Sequence, residues 1–164
     1  MSNKVLSRVF NHQEVKPKLL NLIKQIKNSY KGSDQQITNT DYWLPKDANR
    51  PYLKLFQETV TPTMIGLCKN WYCDRWEVHN IWFQQYSKGD YHGWHNHGEC
   101  QFANVYFLDL PDTKMTTQFY KEEPIEVEEG TILTFPSWLI HSSPINTSNK
   151  TKTVIAFNSS FYVG

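Results

Sequence analysis

The chain has little of what would announce a membrane, a secreted scaffold or a nucleic-acid partner. Its 164 residues contain no apolar run near the roughly 18 residues that a membrane helix needs. The opening "MSNKVLSRVFNH" has no apolar stretch of the kind a secretory signal uses. Three cysteines, Cys68, Cys73 and Cys100, are an odd number without C-x-x-C spacing. Free thiols in a reducing cytoplasm are therefore expected, rather than a disulfide framework or a zinc knuckle. An excess of one charge is missing as well. A formal charge of +1 gives no electrostatic reason to expect nucleic acid or an anionic membrane as partner. Arginine is scarce, with only Arg8, Arg50 and Arg75. No internal repeat and no low-complexity linker divides the chain. The length fits one domain, large enough to bury a core without staples.

What the chain does have is aromatic residues, 15% of the total, gathered mostly after residue 70. That suits broad pleated surfaces packed with large rings. Two regimes follow one another. Up to about residue 75 the pattern is mixed: "KVLSRVF" (4–10) reads as an edge strand, and "VKPKLLNLIKQIKNSYKG" (15–32) carries Leu19, Leu20, Ile23 and Ile26 at helical spacing, with Gly32 as its stop. The stretch 47–71 predicts a further helix or two, interrupted near Pro62. From residue 76 the period changes. "EVHNIWFQQY", "FANVYFLDL", "MTTQFY", "IEVEEGTILTFP", "LIHSSPI" and "KTVIAFNSSFYV" are short, β-branched and aromatic, bounded by Gly, Pro, Asn and Asp. Turn signals about every ten residues predict a β-sandwich or barrel buttressed by N-terminal helices.

The chemistry-bearing feature is "GDYHGWHNHGEC" (89–100). Residues two apart on a strand share a face, so His95 and His97 can reach one ion together. A third ligand must then come from another strand, and His141 stands at a strand–turn boundary after "FPSWLI". A lone histidine in a β-protein is more often a hydrogen-bonded surface or core residue. On that ground His12, His79 and His92 are expected to be non-ligands, with His92 on the wrong side of the turn.

The run "YSKGDYHGWHNH", "NVYFL", "EGTILTFPSWLIH" and "NKTKTVIAFN" resembles the 2-oxoglutarate- and Fe(II)-dependent oxygenases, in particular the small prolyl-hydroxylase-like and phage-type members. The resemblance covers about residues 76–160 and includes order and spacing. It implies a double-stranded β-helix (the jelly-roll or cupin-like architecture) over 76–164, supported by 1–75. It also implies a metal held by His95, His97 and His141, with the co-substrate on Tyr86, Asn158 and a basic residue of the final strand. Trp94 and Trp138 flank these histidines and would wall the mouth or, as large rings in a sheet more often do, join the core.

Two departures stand out. The family's H-x-D carboxylate position is His97, giving three imidazoles where oxygen-activating iron sites normally pair two with an anion. Another parse takes His97 and Glu99 as H-x-E, leaving His95 as a neighbour. The family's arginine on the last strand is absent too, since no arginine follows His141. Counting back from Phe157-Asn158 puts Lys152 in its place, with Lys150 two residues away. A lysine supplies the charge without the bidentate fork.

The resemblance thus implies a dioxygenase using Fe(II), 2-oxoglutarate and O2 on a protein residue or small molecule, with succinate and CO2 released. A cupin-type three-histidine dioxygenase without 2-oxoglutarate also fits "GTILTFPSWLIH", although the Glu its first motif wants after H-x-H is missing at Gln101 and Phe102. A non-catalytic binding or structural module with the same fold is the third reading.

Overall fold

The computed structural model describes residues 3–164. Eleven strands and two helices alternate as β1 (Val5–Arg8), α1 (His12–Ile23), β2 (Tyr30–Lys31), β3 (Gln35–Ile37), β4 (Asn39–Thr40), α2 (Leu53–Asn70), β5 (Arg75–Tyr86), β6 (Tyr91–His95), β7 (Phe102–Asp109), β8 (Gln118–Phe119), β9 (Thr131–Pro136), β10 (His141–Ser143) and β11 (Lys152–Tyr162). They build two antiparallel sheets, one of six strands in the order β1-β9-β7-β11-β5-β4 and one of five in the order β2-β3-β6-β10-β8. The chain crosses repeatedly between the sheets, as in a double-stranded β-helix.

Period-two alternation divides the core in two. From β7, Tyr106 and Leu108 face α1 and α2 together with Phe83, Ile132, Ile155 and Phe157, while Phe107 faces inwards between the sheets with Tyr86, Leu133, Phe135 and Val154. The six-stranded sheet is thus covered on both faces, which is why β9 reads "TILTFP" without polar alternation. Strand β1 is the expected edge strand and pairs with β9.

Both helices differ from their sequence pattern at one end or in the middle. Helix α1 stops at Ile23 rather than near Gly32 because Asn39 intercepts the backbone. Its Oδ1 accepts from Asn28 N (2.8 Å) and its Nδ2 donates to Ile26 O (2.7 Å). Ile26 stays in the core without being helical. Helix α2 is continuous through Pro62. Pro62 has no amide to give the carbonyl of Glu58, and both residues lie on the exposed face, so the missing bond falls on the solvent side of the helix. Among the described residues no helix is long and apolar enough to cross a membrane.

Candidate metal centre

Strands β6 and β10 run antiparallel with His95 and His141 as Cα partners, and the next registered pair is His92 with Ser143. Two residues of β6, Gly93 and Trp94, therefore face Ser142 alone on β10, which is a β-bulge. Gly93 lies in it and makes it possible: its N–H donates to Asp34 O at 2.8 Å, and a Cβ at this position would stand 2.5 Å from that oxygen. The bulge turns His92 and His95 to the same side, with rings stacked at 3.9 Å. Beyond the strand end, His97 is fixed by its N–H donating to Ser137 O at 2.9 Å, and its ring stacks on Trp82 at 5.9 Å.

One nitrogen from each of His95, His97 and His141 lies within 4.8 Å of the others. The Nδ1 atoms of His95 and His141 hydrogen-bond the carbonyls of Gly93 and Leu139, both at 2.8 Å. A carbonyl can only accept, so each Nδ1 carries the proton and each Nε2 presents a lone pair. Burial drives all these imidazoles towards neutrality. It pushes His141 down to about 3 and His97 to about 4, with the neighbouring His95 adding to both, and it lowers His95 itself. Three neutral imidazoles so grouped, two of them oriented by backbone carbonyls, could hold a divalent transition metal. Glu99 is exposed and is not part of the three-residue group among the described residues.

His92 departs from its expected place apart from the cluster. The bulge at Gly93 brings it onto the same cavity wall, where burial, then the other histidines, lower it to about 3. His12 and His79 are elsewhere as expected. His12 is buried between Tyr106 Oη (2.6 Å) and Glu129 Oε1 (3.1 Å), and His79 Nε2 contacts Ser160 Oγ (2.8 Å).

From the histidines a cleft runs inwards between the sheets to Lys152, lined also by Gln84, Tyr86, Thr117 and Ser143. Lys152 is 2% exposed, donates from Nζ to Ser143 Oγ at 2.8 Å, and lies 5.2 Å from the Tyr86 ring centre. Burial lowers its pKa to about 7. Lys150 precedes the strand and is exposed, so only Lys152 enters the cleft. Tyr86 lines the cleft, with its hydroxyl donating to Gln84 Oε1 at 2.8 Å. Asn158 is beside His97 at the outer mouth, and its Oδ1 is buried without a hydrogen-bond partner. Trp94 and Trp138 are both more than half exposed, outside the cavities at the site. The residues that sequence reasoning missed are Trp82, Gln84, His92 and Ser143. The glycine of "YHGWH" is a signal that could have found the bulge at His92, and nothing in the sequence marks the other three.

No family model matches the chain, and no curated protein matches its sequence. Solved structures do match. The viral collagen prolyl hydroxylase of Paramecium bursaria Chlorella virus-1, in complex with 2-oxoglutarate, superposes with a TM-score of 0.65 at 16% identity, over 99% of this chain and 97% of that one. An oxidoreductase of the 2-oxoglutarate–Fe(II) oxygenase family from Burkholderia pseudomallei gives 0.73 at 11% identity, over 96% and 84%. A prolyl hydroxylase from Trichoplax adhaerens, in complex with a peptide fragment of the hypoxia inducible factor oxygen degradation domain, gives 0.65 at 12% identity, over 98% and 83%. The three-histidine cluster and its lysine-ended cleft therefore sit in a chain with the double-stranded β-helix fold of the 2-oxoglutarate–Fe(II) oxygenases.

Proposed function

We propose that this chain is a 2-oxoglutarate-dependent iron dioxygenase that hydroxylates a C–H bond of a protein residue or small molecule. The observation that carries the reading is the alignment of three neutral imidazoles with a buried lysine at the far end of one cleft. His95, His97 and His141 would hold Fe(II), and Lys152 would take the far carboxylate of 2-oxoglutarate. Iron and co-substrate together supply the oxygen-activating chemistry, with succinate and CO2 as co-products.

The chain's own contribution is positioning and charge. The carbonyls of Gly93 and Leu139 fix the tautomer and ring angle of two ligands, so neither has to reorganise when an ion enters. Lys152, held by Ser143 against the Tyr86 ring, gives a dianion a charged terminus inside a low-dielectric cleft. Tyr86 and Val154 line that end, and Phe107 lies behind it with its ring centre 6.0 Å from Lys152 Nζ, so the ammonium stands among apolar walls. With no carboxylate among the ligands, the metal keeps its full formal charge until 2-oxoglutarate binds, which favours an anionic chelator.

That neutral donor set also favours a second reading, a three-histidine metal dioxygenase that needs no 2-oxoglutarate. Anaerobic titration separates the two. Stoichiometric Fe(II) followed by 2-oxoglutarate should raise the visible charge-transfer band of a keto-acid chelate, and succinate should appear on admitting O2. Iron binding without that band supports the second reading.

A further inference from the structure

The cavity at the metal mouth continues past the histidines. It encloses about 430 Å³ and shares Tyr42, Trp43, Asn80 and Trp82 with a second cavity of about 670 Å³. The second cavity runs outwards along β5 from Trp82 to Val78, beneath the segment 41–57. Strand β5 forms the inner wall, and its outer edge is open there. Strand β4 covers it only at Gln84 and Gln85. The last groups closed are those of Phe83, whose N–H donates to Asp41 Oδ1 (2.8 Å) and whose carbonyl accepts from Thr40 Oγ1 (2.7 Å). By strand alternation the next outward pair is the N–H and C=O of Ile81. Among the described residues no strand pairs with this edge from Arg75 to Phe83.

The opposite wall is stiff. Arg50 ties the segment 41–50 together by donating to Asp41 Oδ2 (3.0 Å) and to the carbonyls of Asp41, Leu44, Pro45 and Ala48. Trp43 is stacked on Tyr30 at 5.0 Å. The groove is therefore preformed. Nearest the metal its edge carries no guard, since "NIWF" (80–83) has no charged residue or proline, while Glu77 and the bulge at His79 protect only the outer part.

Resting on the oxygenase reading above, we propose that the prime substrate is a polypeptide that docks in extended form as an added strand on the open edge of β5. Ile81 is the pairing point, and one residue passes into the mouth beside His97. An edge of alternating donors and acceptors at strand spacing is met in register only by another extended backbone. A compact small molecule would fill the mouth and leave the edge and outer cavity empty. The bulge at His79, where Asn158 faces Asn80 but Ser159 faces Val78, limits pairing to the few residues nearest the metal. At the junction Asn158 Oδ1, which lies against His97 without a hydrogen bond of normal geometry, offers an acceptor for a substrate N–H.

Binding tests this without turnover. A random library of roughly 12-residue peptides, long enough to span the groove as a strand, is selected anaerobically on the full chain with Fe(II) and 2-oxoglutarate, and in parallel on the metal-free chain. Selected peptides should lose about tenfold in affinity when alternate backbone amides are N-methylated and almost nothing at the intervening ones. Their binding should slow amide exchange at Ile81, and Trp43→Ala should weaken it several-fold. Selecting no peptide, or only peptides indifferent to N-methylation, overturns the proposal. So does a dimer by sedimentation that already protects Ile81, which would give the edge to a second copy of this chain. Register-dependent peptide binding in a chain that takes up no iron would leave the docking edge standing and remove the oxygenase reading alone.

Discussion

His95 and His141 face each other as Cα partners on antiparallel strands, rings 4.2 Å apart, and each hydrogen-bonds through Nδ1 to the carbonyl two residues before it. The two halves of the site are thus oriented by the same local device, repeated on β6 and β10. The third proposed ligand, His97, has no such carbonyl and is placed by its own backbone and by Trp82.

This arrangement fixes the ligand hierarchy. His141→Ala should weaken Fe(II) binding by more than the roughly hundredfold expected from disturbing a ligand's supporting partner. His97→Ala should do likewise, whereas His97→Asp should keep both Fe(II) and 2-oxoglutarate, since it restores the usual carboxylate. Glu99→Ala should leave iron in place. Anaerobic iron titration of the four variants checks this, and an empty site in Glu99→Ala would return the assignment to the H-x-E pair.

Gly93→Ala should damage the site from outside the ligand set. The added methyl meets Asp34 O at 2.5 Å, so β3 and β6 must separate and the bulge that orients His92 and His95 must shift. We expect a folded protein with at least about tenfold weaker metal binding, read by titration together with circular dichroism. Unchanged affinity would show that the bulge does not set ligand geometry.

Lys152 predicts a pH signature. Its folded pKa is lowered to about 7 by burial, below the ordinary lysine value. The unfolded chain therefore binds this proton between about pH 7 and 10 while the folded chain does not, and stability contributed by this group rises with pH across that window. The slope is up to about 1.4 kcal/mol per pH unit. Lys152→Met should abolish this component and be the more stable protein near neutrality. A bound dianion should reverse the preference, so 2-oxoglutarate binding to the iron-loaded chain above pH 7 should take up a proton, measurable by calorimetry in buffers of different ionisation enthalpy.

Gly130→Ala probes the fold away from the site. Gly130 has φ +84°, and a Cβ would lie 2.7 Å from the buried His12 ring, which is held by Tyr106 and Glu129. Left-handed strain and the clash together should cost about 2–4 kcal/mol in denaturant unfolding. Metal binding by the folded fraction should be unaffected.

Much of this protein was determined by the sequence alone. The short β-branched and aromatic runs "FANVYFLDL" and "KTVIAFNSSFYV", bounded by turn residues, specify strands by local preference, whereas their burial on both faces depends on the helices packed behind them. The grouping of His95 and His97 with a downstream His141, and Lys152 as the basic residue of the final strand, were legible only through the resemblance of their motifs to the oxygenase pattern, and the structure brings the three histidines within reach of one another. Tertiary structure decided what depends on contacts between distant segments. Helix α1 ends at Ile23 because Asn39, sixteen residues later, captures the backbone groups of Ile26 and Asn28. Pro62 passes through α2 because the carbonyl it leaves open faces solvent. His92 reaches the wall of the same cavity because the β-bulge at Gly93, against Asp34 O, turns it there. The open edge of β5 exists because β4 is only two residues long before Asp41 and Arg50 turn the chain away. Each of these turns on a hydrogen bond or a close approach between residues far apart in the chain, which local periodicity does not encode.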